Sequence, residues 1–171
     1  MGLSVAMLTS GARADPRSFI EVELLTPHAA LNGDTRISLA TVSFDYGWAS
    51  HGFIPYIGGG VGFFPLQAHA GIIWLPSDLK DPGVMIRLEA RPQIFWNPCI
   101  EPALMGSAGI GYRWPIETNY PDAPANAAFY LLPSFDGGTA WLHDNCNKET
   151  LSDPFTPRFL AGGTVVLGLD M

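Results

Sequence analysis

The stretch Val84-Met-Ile-Arg-Leu-Glu-Ala-Arg-Pro-Gln-Ile-Phe-Trp96 decides the fold. Read at every second position it gives Val84, Ile86, Leu88, Ala90, Pro92, Ile94 and Trp96, a wholly apolar set. The intervening positions are Met85, Arg87, Glu89, Arg91, Gln93 and Phe95, with three charges and an amide. A strand sends successive side chains to opposite faces, so this period of two predicts a β-strand with one greasy and one polar side.

The same split extends outward in both directions. In 18–26, Ile20, Val22 and Leu24 alternate with Phe19, Glu21 and Glu23. In 35–48, Val42, Phe44, Tyr46 and Trp48 alternate with Thr41, Ser43, Asp45 and Gly47. In 104–114, Leu104, Ala108, Ile110, Tyr112 and Trp114 alternate with Met105, Ser107, Gly109, Gly111 and Arg113. In 158–171, Phe159, Ala161, Val165, Leu167 and Leu169 alternate with Leu160, Gly162, Thr164, Gly168 and Asp170. Weaker candidates at 53–64, 67–75 and 127–141 bring the count to about eight, all joined by short connections, which imply antiparallel hairpins. No capped helical stripe interrupts them.

Composition says which face meets which medium. Of 171 residues, 47% are hydrophobic and 15% are charged, against roughly a quarter charged in an ordinary soluble domain. Mean hydropathy is +0.17, yet no apolar run approaches the length of a membrane helix. The 19 glycines and 15 prolines make the chain turn-rich, but it is too apolar for disorder. A net charge of −7 argues against nucleic acid as a partner.

The polar face is rich in Gly and Ser with few Arg, Glu and Asp, which suits a narrow interior where charges pair. The apolar face carries aromatics near strand ends: Tyr46, Trp48, Trp74, Trp96, Tyr112 and Trp114. Aromatic residues in that place are the girdles of a lipid-facing barrel, and eight strands is the smallest common size. The expectation is an all-β, antiparallel, up-and-down transmembrane barrel of about eight strands, closed so that no edge is left unpaired in lipid. Its interior charge network is Glu21, Glu23, Asp45, Arg87, Glu89, Arg91, Arg113 and Asp170, with His69 on the same face. Buried charges must be paired, so a salt-bridged plug is expected rather than an open conduit. Pro55, Pro92 and Pro133 fall inside proposed strands. Proline cannot donate to a ladder, so each is expected at a rim or bulge, or at an opening in the sheet.

Ala12-Arg13-Ala14 has the form of a signal-peptidase site, so residues 1–14 read as a truncated signal peptide and 15–171 as a single barrel domain. In an exported chain Cys99 and Cys146 permit one disulfide, with two free thiols as the alternative. With both termini in the periplasm the connections holding the two cysteines fall on the same, outer side. No Cys/His spacing forms a metal site, and no cofactor is implied.

Two segments resemble the small outer-membrane β-barrel proteins of Gram-negative bacteria, the OmpA-like and opacity-like group. Ile54-Pro55-Tyr56-Ile57-Gly58-Gly59-Gly60-Val61-Gly62-Phe63 is similar to that group's Pro-Tyr-hydrophobic-glycine strand, and Ala108-Gly109-Ile110-Gly111-Tyr112-Arg113-Trp114 to its Gly-x-Gly-Tyr-Arg strand. The chain departs from the group in ending Leu169-Asp170-Met171 rather than on an aromatic residue. The resemblance implies an outer-membrane location, membrane lipid as surroundings, an envelope or surface protein as partner, and a structural, anchoring or surface-interaction role. A lipid A acyl hydrolase-like enzyme and a soluble periplasmic or secreted barrel that binds an apolar ligand or a partner chain are the alternatives. Ser50-His51 and the set Ser134, Asp136 and His143 are the nucleophile candidates. Neither has a nucleophile elbow, and ordinary turn polar residues explain them better. Gly58-Gly59-Gly60 lacks the Lys and helix of a phosphate loop; inward glycines there make room for bulky interior side chains.

Overall fold

The computed structural model describes residues 15–30, 35–63, 65–96, 100–116, 127–142 and 156–171. Side chains 25–30 and 35–39 are not described. Residues 1–14, Cys99, His143 and Cys146 lie outside the described residues, and the signal peptide and the disulfide with them.

Eight strands follow one another in chain order: β1 (Asp15–Ala30), β2 (Thr35–Ala49), β3 (Phe53–Gly62), β4 (Pro65–Trp74), β5 (Gly83–Phe95), β6 (Glu101–Pro115), β7 (Ala128–Leu142) and β8 (Thr156–Asp170). Each pairs antiparallel with its neighbours, and β8 pairs with β1, so the sheet closes on itself. Stepping from partner to partner, Ser18 leads through Tyr46, Ile57, Ala70, Ala90, Gly106, Gly137 and Ala161 back to β1 at Ala29. One circuit therefore climbs most of the length of β1. With a rise of about 3.3 Å per residue and strands about 4.8 Å apart, the strands tilt by roughly 40°.

Both termini lie at one rim, the terminal rim, with the β2–β3 and β4–β5 turns. The β2–β3 turn is a two-residue hairpin: Ser50 and Phe53 exchange backbone hydrogen bonds, with φ of 50° at His51 and 80° at Gly52. Positive φ at both central residues is the type I′ turn that matches strand twist.

The three prolines correct the expectation in part. Pro55 lies next to the terminal rim, but Pro92 and Pro133 lie within their strands and at no bulge. All face outward, and the register stays constant past each of them. What is lost is pairing on one side. The β2–β3 ladder lapses beside Pro55, the β4–β5 ladder beside Pro92, and the β6–β7 ladder beside Pro133. The opposite ladders run on through Pro55↔Ile72, Pro92↔Leu104 and Pro133↔Val165. In an antiparallel strand a residue's N–H and C=O address the same neighbour, so a proline removes a rung from one interface and leaves the other whole. The β8–β1 seam instead shifts register between Leu24 and His28.

The barrel is turned apolar side out. Phe44, Ile110 and Phe135 are each more than 60% exposed, and apart from Ser18 and Thr139 the other outward positions are apolar or glycine. The inside is layered rather than uniformly polar. An apolar cluster at the terminal end holds Phe19, Ile54, Tyr56, Ile73, Met85, Tyr130 and Leu132. A second, towards the opposite (distal) end, holds Phe95, Met105, Leu142 and Leu160. The charged layer lies between them.

Candidate functional site: the charged interior

The eight charged residues singled out from the sequence all face inward and are buried. Arg87 of β5 donates through Nη1 to both oxygens of Glu21 on β1, at 2.7 and 2.8 Å. Arg91, four residues along β5, meets Glu23 of β1 at 3.1 Å and Glu89 at 2.6 Å. Gln67 of β4 donates to Glu23 at 3.2 Å. In a ring of eight strands β1 and β5 stand opposite one another, so Glu21–Arg87 and Glu23–Arg91 are struts across the full diameter. Charged groups placed there must be neutralised by partners, because the walls on either side supply no water.

A third group sits nearer the terminal rim. Asp170, at the end of β8, accepts from Arg17 Nε at 2.7 Å and from Arg113 Nε at 3.0 Å. Arg113 also donates to the backbone carbonyl of Leu79. Leu79 belongs to the β4–β5 turn and packs on the terminal apolar cluster. The turn is thus folded over the mouth of the barrel and held there by a guanidinium.

Three contacts follow one geometrical rule. Tyr130 of β7 donates to Glu21 of β1, and the residue paired with both, on β8 between them, is Gly168. Tyr56 of β3 donates to Glu89 of β5 at 2.5 Å, across Gly71 of β4. His69 of β4 lies 3.1 Å from Asp45 of β2, across Gly58 of β3. In each case two strands that do not pair reach one another over a glycine. A methyl group on Gly168 or Gly71 would run into the tyrosine, and one on Gly58 into the Asp45 carboxylate. The inward glycines therefore do more than make room for arginines: they are saddles over which second-neighbour strands are joined. Tyr56, Tyr130 and Gln67 were not among the network residues expected from the sequence.

The aromatic residues form two belts. Tyr46, Trp48, Trp74, Tyr112 and Trp114 line the terminal rim, where Tyr46 and Trp48 meet edge to face at 5.1 Å and Trp74 stacks on Phe53 at 6.3 Å. Trp96 lies at the distal rim, at the end of β5. Trp141 and Phe63 share that rim and were missed. Trp141 ends a proposed strand, and that position was its available signal.

Among the described residues the nucleophile candidates form no triad, and His143 of the second set lies outside them. Ser50 Oγ lies 3.1 Å from His51 Nδ1, a contact between neighbours on the I′ turn. Asp15 lines the same cavity of about 200 Å³ without hydrogen bonding to His51. Asp136 faces inward and accepts from Thr164. Among the described residues no three His, Cys, Asp or Glu side chains gather as a metal site.

With this geometry in place the chain can be set beside known proteins. It shares its fold with Neisserial surface protein A. The crystal structure of that protein superposes with a TM-score of 0.55 over 92% of this chain and 97% of the other, at 9% sequence identity. That likeness establishes a closed eight-stranded antiparallel barrel of the outer-membrane type as the fold. No protein-family model and no curated protein matches the sequence.

Proposed function

We propose that the chain is an outer-membrane barrel with a structural, anchoring or surface-interaction role, shut by its own interior. The observation that carries the reading is the distribution of charge. Among the described side chains, none on the outward face of a strand is charged, whereas Arg17, Glu21, Glu23, Asp45, Arg87, Glu89, Arg91, Arg113 and Asp170 are all buried within. In water that arrangement is upside down: charges are hidden and large aromatics exposed. In a bilayer it is the low-energy one, because lipid takes the apolar band and the closed sheet satisfies every strand edge. Between the aromatic belts, Leu104 to Trp114 on β6 spans about 25 Å at the tilt given above, the height expected of such a band.

The struts across the lumen and the apolar clusters on either side favour a closed barrel over a pore. Such a barrel serves as an anchor and as a platform whose loops meet an envelope or surface protein. The deciding experiment is detergent dependence. The full chain is expected to need detergent or lipid to stay monodisperse, and to migrate differently on a denaturing gel when unheated. A monomer that stays soluble in plain buffer overturns the reading and leaves the secreted, ligand-binding barrel. Planar-bilayer recordings are expected to show no steady conductance.

A further inference from the structure

We propose that the Asp45–His69 contact is a proton-operated latch in the barrel wall, fastening β2 to β4 most strongly while the ring is a doubly protonated imidazolium and loosening them when it is neutral. The proposal concerns the wall itself and holds in any amphiphile, so it does not depend on the membrane reading.

The geometry singles out this contact among the three glycine-saddled bridges. In the other two the donor is a phenol, which keeps its proton throughout the pH range that living cells meet. In the third it is histidine, the side chain whose ordinary titration falls between about pH 5 and 8. His69 is the one histidine inside the charged interior among the described residues; His51 sits exposed on the terminal turn. Both partners are wholly enclosed, with side-chain exposures of 0% and 1%. His69 Nε2 and Asp45 Oδ2 have no other hydrogen-bond partner, so each side chain is held by this contact alone.

The charged groups around His69 set the sign. The charged groups that act on it are Glu23 from β1, Asp45 from β2, and Glu89 and Arg91 from β5, while Glu21 acts on Asp45 and is paired with Arg87. β3 contributes Gly58 and the Tyr56 phenol, which is bonded to Glu89, and β4 itself adds the uncharged Gln67. At His69 three carboxylates thus meet one guanidinium, and an imidazolium is the missing positive partner. When His69 passes its proton to bulk water during a transient opening of the wall, Asp45 is left as a buried charge without its counter-ion. The strands that would then loosen are the two shortest, β3 and β4, with 10 residues each.

The test uses the full chain folded in detergent micelles. Between about pH 5 and 8 the thermal midpoint is expected to fall by about 3 °C or more as the proton is lost, in a single transition. The Gly58 amide should exchange markedly faster at the upper end. His69→Gln, which can still donate to Asp45 but carries no charge, is expected to flatten that profile, and His51→Gln to keep it. A flat profile in the unaltered chain, or the same transition in His69→Gln, overturns the proposal. Should His69→Gln fail to fold, the ring nitrogens of His69 in the unaltered chain are followed by ¹⁵N resonance. If they do not titrate over this range, the latch does not exist.

Discussion

Tyr130 and Glu21 sit 109 positions apart in the chain and two strands apart in the barrel, and they meet over Gly168. The contact ties β7 to β1 across β8, at the seam where the barrel closes. Glu21 is simultaneously the acceptor of Arg87 from the opposite wall. One carboxylate therefore serves both the seam and the diameter.

Gly168→Ala is expected to push the Tyr130 ring out of this place. Overpacking of this kind costs about 1–3 kcal/mol, a fall in thermal midpoint of roughly 2–4 °C per kcal/mol for a chain of this size. Tyr130→Phe keeps the packing and removes only the hydroxyl, so it should cost less than Gly168→Ala. Thermal unfolding in micelles, read by tryptophan fluorescence, compares the two.

Arg87→Ala leaves Glu21 as a buried charge without its strut. Removing one partner of such a pair costs about 3–5 kcal/mol. Adding Glu21→Gln removes the orphaned charge, so the double variant should recover part of the loss. A double-mutant cycle on folded fraction, scored by the heat-dependent gel shift, measures the coupling. Strictly additive losses would mean that the interior is solvated.

Leu88 faces outward midway along β5, and Val84 faces outward near its terminal end. In a bilayer Leu88→Arg is expected to cost about 2–4 kcal/mol and Val84→Arg about 0–1 kcal/mol, because the penalty for a cation falls towards the interface. Refolding into lipid vesicles with a denaturant titration reads the difference. Equal and negligible costs would place this face in water.

Arg113→Ala breaks the tie to the Leu79 carbonyl that holds the β4–β5 turn over the barrel mouth. Cleavage by trypsin after Lys80, in that turn, is expected to accelerate while the barrel stays folded. Unchanged cleavage would show that Leu79 packing alone holds the turn.

How much of this could be read from the letters depends on the strand. In β5 one face is wholly apolar and the other is charged or polar from Arg87 to Gln93, so Arg87, Glu89 and Arg91 declare their side. In β3 and β7 the inward positions include Ile54, Tyr56, Tyr130 and Leu132; both faces are apolar, the period fades, and the strands read weakly. The apolar layers inside the barrel were hidden for the same reason. Which side chains meet was beyond reach altogether. Tyr56 finds Glu89, and Tyr130 finds Glu21, only because the stagger brings Gly71 and Gly168 between them. A slip of one residue in register would send each to the other face. The prolines were legible as a problem but not in their solution, which depends on which neighbour a backbone N–H would have addressed.

Apart from one rung missing between β1 and β2, at the pair 25/39, the missing rungs are not scattered. They fall between β2 and β3, between β4 and β5, and between β6 and β7, and the shifted register falls between β8 and β1. These are the joints between hairpins; within the hairpins β3–β4, β5–β6 and β7–β8 the pairing runs without a gap. The molecule is in effect four two-stranded staves set edge to edge along weak joints. The bridges over Gly58, Gly71 and Gly168 act as hoops, each crossing one of those joints, and the fourth joint is crossed by Met105 and Leu160 packed over Gly138. Backbone amides along the joints should be the first to exchange with solvent, and a barrel built in this way can be assembled one stave at a time, with its hoops drawn tight last.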